Sequence, residues 1–216
     1  MGHVVRETDW CVIDIDTTLG NIFFQERWQY NWLVAAGQPA WTLEQKRNFH
    51  TRADRAVWAA WSNRVKLRAA GTSDFSRRFN NLDIPINVDI RWVTVRPHWT
   101  VNVTKIAADA FATSSVQWAA RTITLDTNDI IVRTIPGAAP GQPARTQMPV
   151  AHETGHALGN TSVLGRGDEY PATSPNILDD ASIMNHGHSL RARHFRTIIE
   201  QLDKMIVGTT FSVRTV

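Results

Sequence analysis

The chain has 216 residues, 43% of them hydrophobic and 20% charged, with a formal net charge of +3. That is enough chain for one substantial core, and no linker-like run divides it, so a single ordered domain over residues 1–216 is expected. No apolar run reaches the roughly 18 residues a membrane span needs. The lone cysteine, Cys11, excludes an internal disulfide, and the scattered arginines, 19 against 4 lysines, lack the basic stripe of a nucleic-acid-binding face.

The start, "MGHVVRETDW", has neither the basic nor the apolar region of a secretory signal, so export by that route is not expected. From Asn21 to Ala36 the spacing of aromatic and apolar residues predicts a helix. "TLEQ" at Thr42 to Gln45 is a capping box that opens a second helix running to about Arg64, with Val57 and Trp61 on one packing stripe. The period then becomes two. Ile84 to Val95, His98 to Ala107, Arg121 to Thr127 and Asp129 to Ile135 read as strands, the last two joined as a hairpin around Asn128. Pro136 to Ala144 reads as loop. A helix is expected from near Thr146 to Gly159, with Pro149 in its first turn, followed by a long irregular stretch from Thr161 to Ser189. A last helix, about Arg191 to Ile206, would put Phe195, Ile198, Ile199, Leu202 and Met205 on one apolar face.

The chemistry concentrates in "VAHETGHALGN", Val150 to Asn160. Residues four apart on a helix differ by about 40° around the axis, so His152 and His156 can offer their imidazoles to one ion. Glu153, rotated about 100° from His152, can reach a water beside that ion without displacing it. Zinc suits two neutral imidazoles and a third protein ligand with an open fourth position. It would lower the pKa of a water towards about 7 while Glu153 takes the proton, and the reaction this chemistry suits is amide hydrolysis. By chance, HExxH arises about once in a hundred chains of this composition, so its setting matters.

That setting, "HETGHALG" followed by "SIM", resembles the zincin metallopeptidases, more narrowly the metzincin-like group. The resemblance implies an α+β fold with a helical N-terminal part, a mainly antiparallel twisted sheet, an active-site helix and a C-terminal helix, the active-site half covering about residues 145–206. It implies a bound Zn2+, a peptide or protein substrate, and Met184 as the turn methionine beneath the metal. A strand such as Arg121 to Thr127 would offer its free edge to the substrate. The wider set, HExGH, "DEY", "SIMN" and "RARHF", is similar to metallopeptidase effector domains of bacterial type VI secretion spike proteins. That likeness implies a bacterial toxin, cytoplasmic until a secretion apparatus exports it, with an immunity protein as a further partner.

The pattern departs from the family at the third ligand. The family position, three residues after the glycine, is Ser162, a poor zinc donor. "GNTSVLGRGDEY" looks like a related arrangement with an insertion that brings Asp168 into place, with Tyr170 beside it to polarise a carbonyl or to pack. Glu169, Glu200, His186, His188 and His194 remain alternative ligands. Other readings compete for the whole chain: a zinc-stabilised interaction module without catalysis, and a basic nucleic-acid binder. A third is a phosphatase of the haloacid-dehalogenase type, which "CVIDIDTTLGN" resembles, with Asp14 as nucleophile, Asp16 as acid/base and carboxylates holding magnesium; the late lysine and acidic pair it also wants would be Lys105 and Asp179-Asp180.

Overall fold

The computed structural model describes residues 2–136 and 141–216; of the proline-rich loop expected over Pro136 to Ala144, residues 137–140 lie outside that description. The chain opens with a meander of three strands, β1 (His3–Glu7), β2 (Val12–Asp16) and β3 (Asn21–Val34). The expected first helix is therefore a fourteen-residue strand. Its burial alternates, with Ile22, Phe24, Glu26, Trp28 and Tyr30 all inside. Glu26 interrupts the apolar face, and that one polar residue hides the period of two from a reading by hydrophobicity. Aromatic and branched side chains fit a pleated, half-buried surface, and here that tendency decides.

The second expected helix is present as α1 (Leu43–Trp61), opened by Thr42 and Gln45 in a reciprocal capping box. Phe49, Ala53, Val57 and Trp61, spaced by four, form its buried stripe. There follow β4 (Lys66–Gly71), a short α2 (Asp74–Arg78), β5 (Ile84–Trp92), β6 (Trp99–Lys105), β7 (Ser115–Gln117) and β8 (Thr122–Asp126). Then come β9 (Arg133–Ile135), β10 (Arg145–Gln147), α3 (Pro149–Ala157), α4 (Arg196–Leu202) and β11 (Thr209–Thr215). The C-terminal helix is shorter than expected, a 3-10 turn over Ala192–Phe195 leading into α4, but Phe195, Ile198 and Leu202 do face the core.

The fold is mixed α+β. The main sheet runs β11-β4-β5-β3-β6-β8-β7, with β2 and then β1 added at the first half of β3. It is not mainly antiparallel through its centre: β3 pairs parallel with both β5 and β6, and β6 pairs parallel with β8. Antiparallel ladders occupy the margins. The hairpin expected around Asn128 does not form either, because β8 pairs with β6 and β7, and β9 pairs with β10. Among the described residues no helix is long and apolar enough to cross a membrane.

The phosphatase geometry is not assembled. Asp14 meets His3 (2.9 Å), and Asp16 accepts the backbone N–H groups of Thr18 and Leu19 in the β2–β3 turn. Lys105 donates to Gln45, while Asp179 and Asp180 hold Arg191 and Arg145. Each of these charges is used where it stands.

Glu26 is fully buried. Its Oε2 accepts the Trp28 indole N–H (2.8 Å), its Oε1 has no partner, and burial pushes its carboxyl up to about 8. A carboxyl whose pKa rises on folding binds more protons folded than unfolded, so its contribution to stability is greatest at low pH. It declines by up to about 1.4 kcal/mol per pH unit as pH climbs from the ordinary carboxyl range towards 8. Glu26→Gln keeps an acceptor for Trp28 and removes this titration. Urea unfolding at pH 5 and pH 8 should show the variant gaining on the native chain as pH rises; a stability difference constant across that interval contradicts the assignment.

Candidate metal centre

The helix α3 carries the HExxH motif and starts at Pro149, later than Thr146, because Thr146 is in β10. Proline is suited to that first position, where its missing N–H would be unpaired in any case. Two contacts from distant segments fix the helix: the Val150 N–H donates to the Asp129 carbonyl (3.0 Å), and the Trp61 indole donates to the Ala151 carbonyl (2.9 Å). Every residue from Pro149 to Ala157 is buried except His156, which is partly so. Gly159 follows with φ +98°, and a Cβ there would lie 2.5 Å from Thr197 side-chain atoms. Only glycine satisfies both the turn and the approach.

His152 Nε2 and His156 Nε2 lie 3.2 Å apart, and each is 3.1 Å from Asp168 Oδ1. The opposite ring nitrogens face backbone carbonyls, His152 Nδ1 that of Ile183 (2.7 Å) and His156 Nδ1 that of Asn160 (2.6 Å). A carbonyl can only accept, so these contacts favour the proton on Nδ1 and the lone pair on Nε2 in a neutral ring, although the Gln147 amide nitrogen also stands 3.1 Å from His152 Nδ1. Three acceptors then share one point with no neutral donor between them. Four ligands at 2.0–2.1 Å in a tetrahedron stand about 3.3 Å from one another, close to the spacing observed. The donor set and its outer hydrogen bonds fit zinc, and the described residues contain no other group of three such side chains close enough to hold an ion. Burial alone would raise the Asp168 carboxyl, but the two imidazoles hold it far below the usual carboxylate range. Burial likewise opposes charge on His156, and the Asp168 and Glu153 carboxylates overcome it.

The segment between α3 and Asp168 forms a closed excursion. Ser162–Leu164 is a single 3-10 turn, and the Arg166 N–H returns to the Thr161 carbonyl (2.9 Å). Arg166 also reaches Thr197 (2.5 Å) and Glu200 (3.1 Å) on α4. Ser162 is thus looped outward and Asp168 takes the position beside the histidines.

The alternative ligands lie elsewhere. Glu169 is gripped by Arg193 through two bonds (2.6 and 2.7 Å), and although burial would raise its carboxyl, those bonds bring it down to about 2. His194 contacts Ser182 (3.2 Å) and Glu169 (3.4 Å). Glu200 is half exposed and meets Arg166 and Arg196. His186 stacks on Tyr170, and His188 lines a separate groove of about 740 Å³ beside Ala56 and Ala60.

The cluster opens into a cleft of about 280 Å³. Glu153 lines it, buried, with Oε2 unpartnered; burial raises its carboxyl above the ordinary range. Tyr170 lines it too, its ring stacked between His186 (5.3 Å) and His152 (6.4 Å). Burial and the Asp168 carboxylate push its hydroxyl up, so it stays protonated. The opposite wall is Thr113 to Val116, including the start of β7. The strand expected to offer a free edge, β8, is paired on both sides; β7 is the terminal strand. Three residues long, β7 carries no periodicity from which it could have been read. Neither did the sequence betray Gln147, whose amide donates to the Asn185 carbonyl (2.6 Å) beside His152.

No family model, no curated protein and no solved structure matches the chain.

Met184, 1% exposed, packs under α3: a Cβ on Gly155 would lie 2.4 Å from Met184 Sδ and 3.0 Å from Trp61 Cζ2. Overpacking of this kind costs about 1–3 kcal/mol, against about 1 kcal/mol that alanine gains over glycine inside a helix. Gly155→Ala should therefore destabilise the native chain, yet be neutral or stabilising on a Met184→Ala background. Additive effects in a double-mutant cycle of chemical denaturation would show that the two residues do not compete for that space.

Proposed function

We propose that the chain is a zinc-dependent endopeptidase of the zincin type, cleaving peptide bonds through a water activated against Glu153. The observation that carries this reading is the convergence of two imidazole Nε2 atoms and one carboxylate oxygen beside a buried carboxyl group that has a free oxygen. A site that only staples a fold has no use for that last group. Leaving it buried and unpaired costs free energy, and such costs collect where chemistry needs them.

His152, His156 and Asp168 would hold the ion, which when bound supplies Lewis acidity to a water and to the carbonyl under attack. Glu153 accepts the proton from the attacking water and returns it to the departing amine nitrogen, so the proton count balances over one turnover. Burial that raises its carboxyl moves it towards the range in which it can both take and give a proton near neutrality. Tyr170, kept protonated, can donate to the oxygen on which negative charge builds. An extended peptide laid against the outer edge of β7 would present its scissile bond to Glu153, with backbone pairing for affinity. The likeness of the motif set to spike-borne effector domains suggests a bacterial effector as the setting.

Purified chain incubated with zinc should bind one equivalent. Glu153→Ala should keep the metal and lose at least about 100-fold in the cleavage rate of a peptide library. His152→Ala, His156→Ala and Asp168→Ala should lose both metal and activity, whereas Glu200→Gln should lose neither. Elemental analysis together with library cleavage decides it, and a Glu153→Ala chain that cleaves at the native rate removes the proposed mechanism.

A further inference from the structure

The connection from β6 to β7, residues 106–114, has no regular structure, yet it ends in the wall of the metal cleft. It is held from one direction, by the turn Asp126-Thr127-Asn128-Asp129. Thr127 Oγ1 accepts the Ile106 N–H (3.1 Å). The Asn128 amide donates to the carbonyls of Ala107 (3.1 Å), Ala108 (3.3 Å) and Ala110 (3.1 Å). Asp126 Oδ2 accepts the Ala112 N–H (3.2 Å), and Asp129 Oδ2 accepts the Ser114 hydroxyl (2.6 Å). Arg133 closes the arrangement, bonding Asp126 (3.0 and 3.1 Å), standing 3.3 Å from Asp129 and lying over the Phe111 ring at 5.1 Å.

The same turn is tied to the metal helix. The Asp129 carbonyl takes the Val150 N–H at the start of α3, two residues before His152. Asp129 thus touches both walls of the cleft, its carboxylate one and its carbonyl the other, and it is fully buried. Nothing in core packing asks for four polar side chains converging on an irregular segment. A cleft that must keep a strand edge at a set distance from a helix does ask for it.

We propose that the turn at 126–129, with Arg133, is a positioning element that sets the substrate-bearing edge of β7 against the metal helix. This rests on the peptidase reading for its functional meaning, though the clamp itself is independent of it. Asp126, Asn128 and Asp129 are positioning residues that touch neither metal nor substrate; their effect passes through Ser114, Ala112 and the alanine carbonyls.

The test compares Asp129→Ala, Asn128→Ala and the conservative Asp129→Asn with the native chain. It combines amide hydrogen exchange over residues 107–117, zinc content, and peptide-library kinetics. Local opening freed of its tethers should raise exchange in that segment at least about tenfold in both alanine variants, with exchange in α1 unchanged. Zinc should remain at one equivalent. Because misplacement of a substrate acts before chemistry, KM should rise about tenfold or more while kcat changes less than about threefold. Asp129→Asn, which retains an acceptor for Ser114, should restore both values. Should Asp129→Ala fail to fold, the part-exposed Asn128→Ala carries the same expectation. Unchanged exchange over 107–117 in the folded alanine variants overturns the clamp, as does a loss confined to kcat. A native chain that binds zinc and cleaves nothing counts against the peptidase reading alone, and the exchange result then decides the clamp by itself.

Discussion

Three lone pairs aimed at one point repel each other, and most of the C-terminal half exists to keep them there. The two imidazoles cannot turn away, because each is held from behind by a backbone carbonyl, and those carbonyls belong to two different segments downstream of the helix. Rotation of His156 would leave the Asn160 carbonyl without its donor, and rotation of His152 would leave the Ile183 carbonyl with only the longer Gln147 contact (3.4 Å). The arrangement is therefore stable in pieces that are individually satisfied and jointly in need of a cation. Either protons or a metal ion can meet that need.

The long irregular stretch after the helix has few backbone ladders, so side chains do the work that strands do elsewhere. Arginine supplies its ion pairs, beside amide hydrogen bonds from Gln147, Asn160 and Asn185. Arg145 forks onto Asp180, Arg191 onto Asp179, Arg193 onto Glu169 and Asp179, and Arg166 onto Thr197 and Glu200. Lysine could offer a charge at these places but not two parallel bonds with a fixed plane. An excess of arginine over lysine with no basic patch is what such a use produces. Most of these pairs are only partly buried, so their value lies less in net stability than in fixing where the loop carries Asp168 and Met184.

What could be read from the sequence followed the strength of local signals. α1 was legible because a capping box is a local bargain between Thr42 and Gln45 and needs no partner elsewhere. His152, His156 and Asp168 were legible as a candidate set because ligand chemistry restricts residue types sharply, and the structure brings these three side chains together. β3 was misread because its buried face includes Glu26, whose carboxyl is received by the Trp28 indole two residues along the same strand and so breaks the hydrophobic pattern. The parallel centre of the sheet was invisible for another reason: strands joined by long connections leave no mark of their direction in the segments themselves. The expected hairpin at Asn128 failed because Asp126 and Asp129 face inward to tether a neighbouring loop, a use that mimics turn composition without making that turn. The carbonyls of Ile183 and Asn160 could not be foreseen at all, since every residue has one.

The neighbouring carboxylates Asp168 and Glu169 show how one stretch divides its chemistry. Of these two neighbours Asp168 faces the histidines, while Glu169 faces Arg193 and His194. Which one faces the histidines is decided on the other side. The Glu169 N–H donates to the Met184 carbonyl (2.8 Å), its side chain enters a buried pocket where Arg193 and His194 receive it, and Arg193 is itself held by Asp179. Asp168, shorter and left with no cation from any arginine or lysine, must find its positive partner in front of it. Which carboxylate faces the histidines thus follows from where the arginines are.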